Sequence, residues 1–345
     1  MKKHIPFVVL CLFILAMLSL CLPVLRQQQA AEAQRAYEAE RHLVVFSDLP
    51  QDVNDSLSQA FYQETNLRVQ ILSREDGAMR QSLAVQERQP DILIASSGTL
   101  QEEKKQGLLQ PYASPATDKV PDNLRDADNQ WTGLWVDPMV FVLSQEYYER
   151  RGMQVQTWDD LLTDPQLRIV FPDLGATDLA GDFLCSFVEI HGREDSQRYL
   201  QTLQTHVASY AKSMAANVRR AAGGEVDIGV ADAATARQYR HDGAPIYLLY
   251  PQDGTSYWLT GIAVTNWCSD GELASAFVNW LYSDKADQIL QQQHIFLTKA
   301  DKLDVQVDAK GQHLQLFPVK KQYTDAGRRS LQEWWIKSVR FGKDS

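Results

Sequence analysis

The chain has 345 residues, a near-average globular composition and a formal net charge of -10; without residues 1–41, which hold five basic and three acidic side chains, the remainder carries -12. That balance excludes broad nucleic-acid or anionic-membrane binding, since both need clustered Lys and Arg. A body this long buries a sizeable core and needs neither disulfide nor metal staples.

Lys2, Lys3 and His4 precede an uncharged apolar run from Ile5 to Leu25. About 20 apolar residues rising 1.5 Å each span a hydrocarbon core of roughly 30 Å. The positive flank holds that end inside and sends the remainder out. Residues 1–25 therefore read as a signal peptide or a membrane anchor. Ala31-Glu32-Ala33 offers small residues at a cleavage spacing. The run is long for a signal, and Arg26 stands between it and that site; Cys21 would suit lipidation, but bulky Leu20 precedes it. Every outcome exports residues 42–345, with a membrane tether through residues 5–25 as an open alternative. Residues 26–41, RQQQAAEAQRAYEAER, read as a polar spacer.

From residue 42 onward, strands and helices alternate. His42 to Phe46 predicts a strand; Pro50 and Asp52 open a helix with Val53, Leu57, Ala60 and Phe61 at helical spacing. Leu67 to Leu72 is the next strand, 74–89 a helix, Asp91 to Ala95 a buried strand ending in Ser96-Ser97-Gly98, and Leu100 to Lys105 a helix. Such a rhythm implies parallel strands with right-handed crossovers. A long apolar strand follows at 135–144, with Asp137-Pro138 inside it, and Thr157 and Asp160 have the spacing of a helix cap. A second set comprises strand 168–171, helices 178–190 and 196–205, strand 226–231, helix 232–240 and strand 245–250. Another apolar strand, 258–265, leads to one amphipathic helix over 271–291, and QEWWIKSV near the end predicts a final helix packing one Trp inward. The second set is thus inserted into the first. The expected divisions are 42–136 and 258–345 for lobe 1 and 137–257 for lobe 2, joined by two crossovers that act as a hinge. Cys185 and Cys268 fall in different lobes and read as buried thiols.

Several segments together resemble a known family. From Val44 to Tyr112 the chain carries AFYQETNLRVQI, QPDILIASS and GLLQPY; further on come TWDDLLTDPQLRIVFPD, GGEVDIGVADA, YPQDGTSYWLTGIAVTNW and ASAFVNWLYSDKADQIL. Their order over residues 42 to about 300 resembles the periplasmic solute-binding proteins of ABC importers, in the group of ferric, thiamine, polyamine and phosphonate binders. The resemblance implies an α/β, two-lobed periplasmic-binding-protein fold of type 2. It also implies a small-molecule ligand in the cleft, delivery to ABC permease subunits, a monomer, no cofactor and no catalysis. Carried over segment by segment, it gives Ser47 and Asp48 after the first strand, Ser96 and Ser97 after the third, and the turn Gly175, Ala176, Thr177, Asp178 opening a helix. Ser213 and Asn217 precede the GE segment, Asp232 follows its strand, and Tyr257 lies at the second crossover. The ferric binders place adjacent tyrosines where this chain has Ala231-Asp232-Ala233-Ala234, which puts direct ferric coordination in doubt.

Those residues have their own chemistry beside the bland reading of each. A helix start at Gly175–Asp178 exposes free N–H groups that suit a carboxylate or phosphate, or Thr177 and Asp178 cap only their own helix. Ser96 and Ser97 follow a strand's carboxyl end, where open α/β sheets bind ligands, or make an ordinary turn with Gly98. Asp48, Asp137, Asp178 and Asp232 would together favour an amine or cation, and with the helix start a zwitterion; singly they read as caps. Trp131, Trp135, Tyr257 and Trp258 could stack on a ligand or pack the hinge. G-x-S-x-G, H-E-x-x-H, Walker and paired C-x-x-C motifs are absent from the sequence, and no metal site is expected from its seven scattered His residues. The expected function is capture of a small polar ligand, an organic anion, zwitterion or polyamine, for an ABC permease. A membrane-tethered sensor of the same fold, signalling to a partner protein, and a ferric-ion binder are the alternatives.

Overall fold

A computed structural model describes residues 42–85, 89–176, 178–292, 295–299, 303, 311–317 and 325–342. The anchor or signal, the spacer, and Thr177 lie outside the described residues. Among the described residues no helix is long and apolar enough to cross a membrane.

The first half begins with β1 (His42–Ser47), α1 (Gln51–Thr65), β2 (Arg68–Ser73), α2 (Asp76–Ala84), β3 (Ile92–Ser96) and α3 (Ser97–Lys105). Helix α1 buries Val53, Leu57, Ala60 and Phe61, the face that the apolar spacing predicts, and stops at Asn66, whose left-handed backbone (φ 58°) lets its N–H donate to the Tyr62 carbonyl. β1 pairs in parallel with both β2 and β3, as two β-α-β crossovers require.

After a short β4 (Leu109–Gln110), β5 runs from Thr132 to Ser144 and belongs to both halves. Its residues 132–138 pair with β10 (Tyr257–Thr265); its residues 139–143 pair with β8 (Ile228–Asp232), and 141–144 pair with β9 (Ile246–Leu249). Asp137-Pro138 sits at the change of sheet. In the second half Val140 and Val142 face one core while Phe141 and Leu143 face another, the period of two that a strand buried on both faces must show. Between β5 and β8 come α4 (Gln145–Arg151), β6 (Ile169–Pro172), α5 (Asp178–His191), α6 (Arg193–Gln204), β7 (Val207–Ala211) and α7 (Met214–Ala222); α8 (Ala233–His241) follows β8. The strand path is β2-β1-β3-β10-β5-β8-β6-β7: two half-sheets on one shared ribbon.

Four differences from the sequence reading have local causes. The expected cap at Thr157 exists, with Thr157 N–H donating to Asp160 and Asp160 N–H to Thr157 Oγ1, but it opens only a 3-10 turn, Asp159–Leu162. The helix expected over 271–291 is two, α9 (Gly271–Leu281) and α10 (Asp284–Gln292). Buried Tyr282 lies at the break and donates its hydroxyl to the Gly133 carbonyl of β5, and Ser283 Oγ accepts from Ala286 N–H to restart the helix.

The chain also passes between the halves a third time. After β11 (Phe296–Leu297), paired with β5 in the first half, residues 312–317 run beside Tyr250 and Thr255, and Phe317 enters the second core. Finally, α11 (Asp325–Trp335), expected within lobe 1, packs on α5: Trp335 is buried against Tyr210, and Val339 beyond it joins the same core. An indole that large goes where aromatic surface awaits it, here the Tyr210 ring in a core that also holds Phe171, Phe183 and Phe187.

Candidate functional site

The carboxyl ends of β1 and β3 bring Ser47–Asp48 and Ser96–Ser97 together. Ser47 is fully buried, and its Oγ accepts from Leu49 N–H, a turn role. Asp48 N–H donates to the Ile94 carbonyl, and its Oδ2 accepts from Thr260 Oγ1 at 3.0 Å. Ser96 caps α3, accepting from Thr99 N–H at 3.2 Å, which leaves Ser97 half-buried as the first residue of that helix. Thr260 of β10 stands opposite Ser96 in the ladder, so the hinge strand and both turns form one polar floor.

In the second half, the turn before α5 is held internally. Asp173 Oδ1 accepts from Gly175 N–H at 3.1 Å, the Asp173 carbonyl accepts from Ala176 N–H, and Asp173 Oδ2 pairs with Arg340 at 2.8 Å. Gly175 and Ala176 are exposed, but these two amides already bind a carboxyl and a carbonyl of the chain. Asp178 opens α5. Ser213 is the exposed cap of α7, accepting from Ala216 N–H, and buried Asn217 donates to the Val230 carbonyl. Both have structural partners.

Asp232 caps α8 through Thr235 N–H at 2.7 Å, and Asp137, from the hinge strand, accepts from Ala234 N–H of the same helix start at 3.1 Å. Two carboxyls thus meet one positive helix end. Burial, and then the neighbouring Asp232 carboxylate, hold the Asp137 pKa well above the usual range. Arg237 of α8 lies 5.5 Å from the Tyr250 ring centre and 5.1 Å from that of Phe296, crossing from the second half to the first. Tyr257 begins β10 opposite Pro138; burial, and then Glu189, push its hydroxyl up to about 12. Trp131 and Trp135 are buried with the first core, as packing rather than as exposed platforms.

Sequence reasoning missed the contribution of α5 and α11. Arg328 of α11 is 5% exposed, and its Nε donates to Asp182 Oδ1 of α5 at 2.8 Å. A methyl group at Gly181 would fall 2.7 Å from Cδ of Arg328 and from Nε2 of Gln332, whereas one at Gly98, in the first turn of α3, would stand 3.5 Å from Nη2 of Arg328. Arg328 therefore lies between the helix start of one half and the long helix of the other. A glycine inside the helical pattern 178–191 was the available signal, because such a glycine usually marks close packing. A separate concavity of about 480 Å³ lies between α1 and β2, lined by His42, Arg68 and Tyr62 among others. Its lining runs along β2 from Arg68 to Leu72 and includes Gln51 at the start of α1. Cys185 and Cys268 are free; burial pushes the Cys185 thiol up to about 12.

Residues 43–295 match the family model described as bacterial extracellular solute-binding protein. Iron uptake protein A2 of Synechocystis is 25% identical over 276 residues, covering 74% of this chain and 77% of its own. The Trichodesmium protein FutA, solved with iron and citrate, superposes with a TM-score of 0.71 at 21% identity, over 88% of this chain and all of that one. The periplasmic binding protein AfuA of Actinobacillus pleuropneumoniae, solved with fructose-6-phosphate, gives 0.65 at 18% identity, over 87% and 99%. These likenesses establish the two-lobed α/β fold.

Proposed function

Because the chain belongs to the family of bacterial extracellular solute-binding proteins, we propose that it captures a small polar solute between its halves in the periplasm and delivers it, as a monomer, to an ABC permease. The observation that carries this reading is that two groups of polar side chains come together across a shared hinge, Asp48, Ser96 and Thr260 on one side and α5 with Arg328 on the other, with Ser96, Thr260 and Arg328 buried. A solute touching both surfaces stabilises the closed arrangement by its extra affinity for that state, and a permease can read the difference. The contacts of FutA with iron and of AfuA with a sugar phosphate belong to those proteins. Against a ferric ligand here stands the donor chemistry at the end of β8. Fe(III) favours phenolates, whereas this chain offers Ala233 and Ala234 beside a carboxylate already capping a helix.

The reading is tested by purifying the exported protein from its host and identifying the co-purified solute by mass spectrometry. Small-angle scattering is then compared with and without that solute. A smaller radius on loading is expected. An identical radius at saturation, or a protein that carries no small molecule and binds none from the periplasmic extract, would refute it.

A further inference from the structure

Strand β2 is the first on the strand path, and among the described residues no strand pairs with its outer edge. Which of its groups face outward follows from the ladder. Arg74 N–H donates to the carbonyl of Ser47, which stands opposite Ser73, so the even-numbered residues bond β1. Main-chain groups alternate in direction along a strand, and Val69, Ile71 and Ser73 therefore turn theirs away from the sheet. Such an edge is a template for another extended chain. The concavity of about 480 Å³ beside it leaves such a chain room to approach.

Side chains of α1 already occupy that template. Gln51 Nε2 donates to the Ile71 carbonyl at 3.1 Å, and its Oε1 accepts from Ser73 N–H at 2.9 Å. One residue of a parallel neighbour would make the same two bonds with its main chain, so the amide stands in for a residue of the next strand. Asp55 Oδ1 accepts from the same Nε2 at 2.8 Å and sets the orientation of the amide. Two turns further along α1, Ser58 Oγ donates to the Val69 carbonyl at 2.7 Å, which takes the acceptor of the next ladder position. Seven helical residues rise about 10 Å, roughly the length of three strand residues, so α1 meets the edge in step. Exposed Arg68, its guanidinium 5.0 Å from the Tyr62 ring centre, adds a charge at the start of the strand.

We infer that Gln51 and Ser58 close this edge, and that the partner they exclude is a second copy of this chain paired through β2. Two copies related by a two-fold axis would lay their β2 strands antiparallel, each offering the other the same outward groups. The inference goes beyond solute capture and does not rest on it.

The test compares the exported protein with the variant Gln51→Ala, Ser58→Ala. Gln51 is exposed and Ser58 half-buried, so neither substitution opens the core. Hydrogen exchange of the Ser73 amide, read by NMR, should quicken by about 3- to 10-fold when its acceptor is lost, the equivalent of one ordinary hydrogen bond. Sedimentation velocity should show the wild type as a monomer, and the variant associating at concentrations at least about tenfold lower than any at which the wild type does. Q51K with S58A is the counter-variant and should stay monomeric: lysine still donates to the Ile71 carbonyl, and it brings a charge that two copies cannot bury together. If the double alanine variant fails to fold, Gln51→Ala alone carries both readouts. An alanine variant that stays monomeric, unchanged Ser73 exchange, equal association of the lysine variant, or a wild type that already dimerises each overturns the inference. None of these outcomes touches solute capture, which the co-purified solute decides.

Discussion

Gly181→Ala separates two opposing effects by sign. In an exposed helix, replacing glycine with alanine stabilises by about 1 kcal/mol, because alanine loses less backbone entropy. In α5 the new methyl would meet Arg328 Cδ at 2.7 Å, Arg328 Cγ at 2.8 Å and Gln332 Nε2 at 2.7 Å. Carbon contacts settle near 3.5–4.0 Å, so all three atoms must retreat by roughly 1 Å. Overfilling of that kind costs about 1–3 kcal/mol. The bond from Gln332 Nε2 to the Leu174 carbonyl (2.9 Å) is strained at the same time, at about 1 kcal/mol. The sum is a net loss of about 1–3 kcal/mol, a fall in melting temperature of about 2–5 °C for a chain of this size. Differential scanning calorimetry reads it directly. Gly77→Ala is the control, since Gly77 lies in helix α2 with nothing within 4 Å of an added methyl, and it should raise stability by about 0.4–1 kcal/mol. If Gly181→Ala melts higher than wild type, as its control should, then α11 is not seated on α5 and the placement of Arg328 is wrong.

Other expectations follow from the hinge and the second core. The Asp137 pKa is raised in the folded protein, so the folded state binds that proton more tightly than the unfolded chain does. Its stabilising effect is present in acid and fades as pH rises from the ordinary carboxylate range through the raised value. Asp137→Asn mimics the protonated form. Its melting temperature should exceed wild type at pH 7–8 and converge with it near pH 4; parallel curves would count against the raised Asp137 pKa. Trp335→Ala empties a fully buried indole site beside Tyr210 and should cost about 3–5 kcal/mol in denaturant unfolding, whereas a cost below about 1 kcal/mol would mean that the last helix is not part of the core. With its thiol pushed up to about 12 by burial, Cys185 should resist a thiol reagent at pH 8 until the protein is unfolded, and rapid labelling would contradict that burial.

Much of the fold was legible because periodicity and strand burial agreed. The apolar face of α1, the buried strand β3, the long ribbons β5 and β10 and the inward Trp of the last helix all follow from spacing alone. Weakly patterned elements escaped notice. β7, VASYA, has no fully buried residue and runs at the end of the strand path, and α7, MAANVRRAA, hides its apolar face among alanines. The site was less legible than the fold. The spacing puts Asp232 at a helix start but Ser96 only at a strand's end, in a turn with Gly98, and a sequence does not say whether a side-chain oxygen is already engaged; in both cases a backbone N–H of a helix start donates to it. Arg328 was invisible for another reason. Its partners, Asp182 at 146 residues' distance and Gly98 farther still, are joined to it only by the third passage between the halves.

That passage has a consequence for how the molecule is made. The apolar cluster of the middle segment takes Phe317, Trp335 and Val339 from the tail, so a piece ending at residue 257 would leave an aromatic face open to water. The second half cannot finish folding until the chain through Val339 has left the ribosome. The nascent polypeptide therefore remains incompletely folded until that point, the condition a chain must be in to be threaded through a narrow export channel.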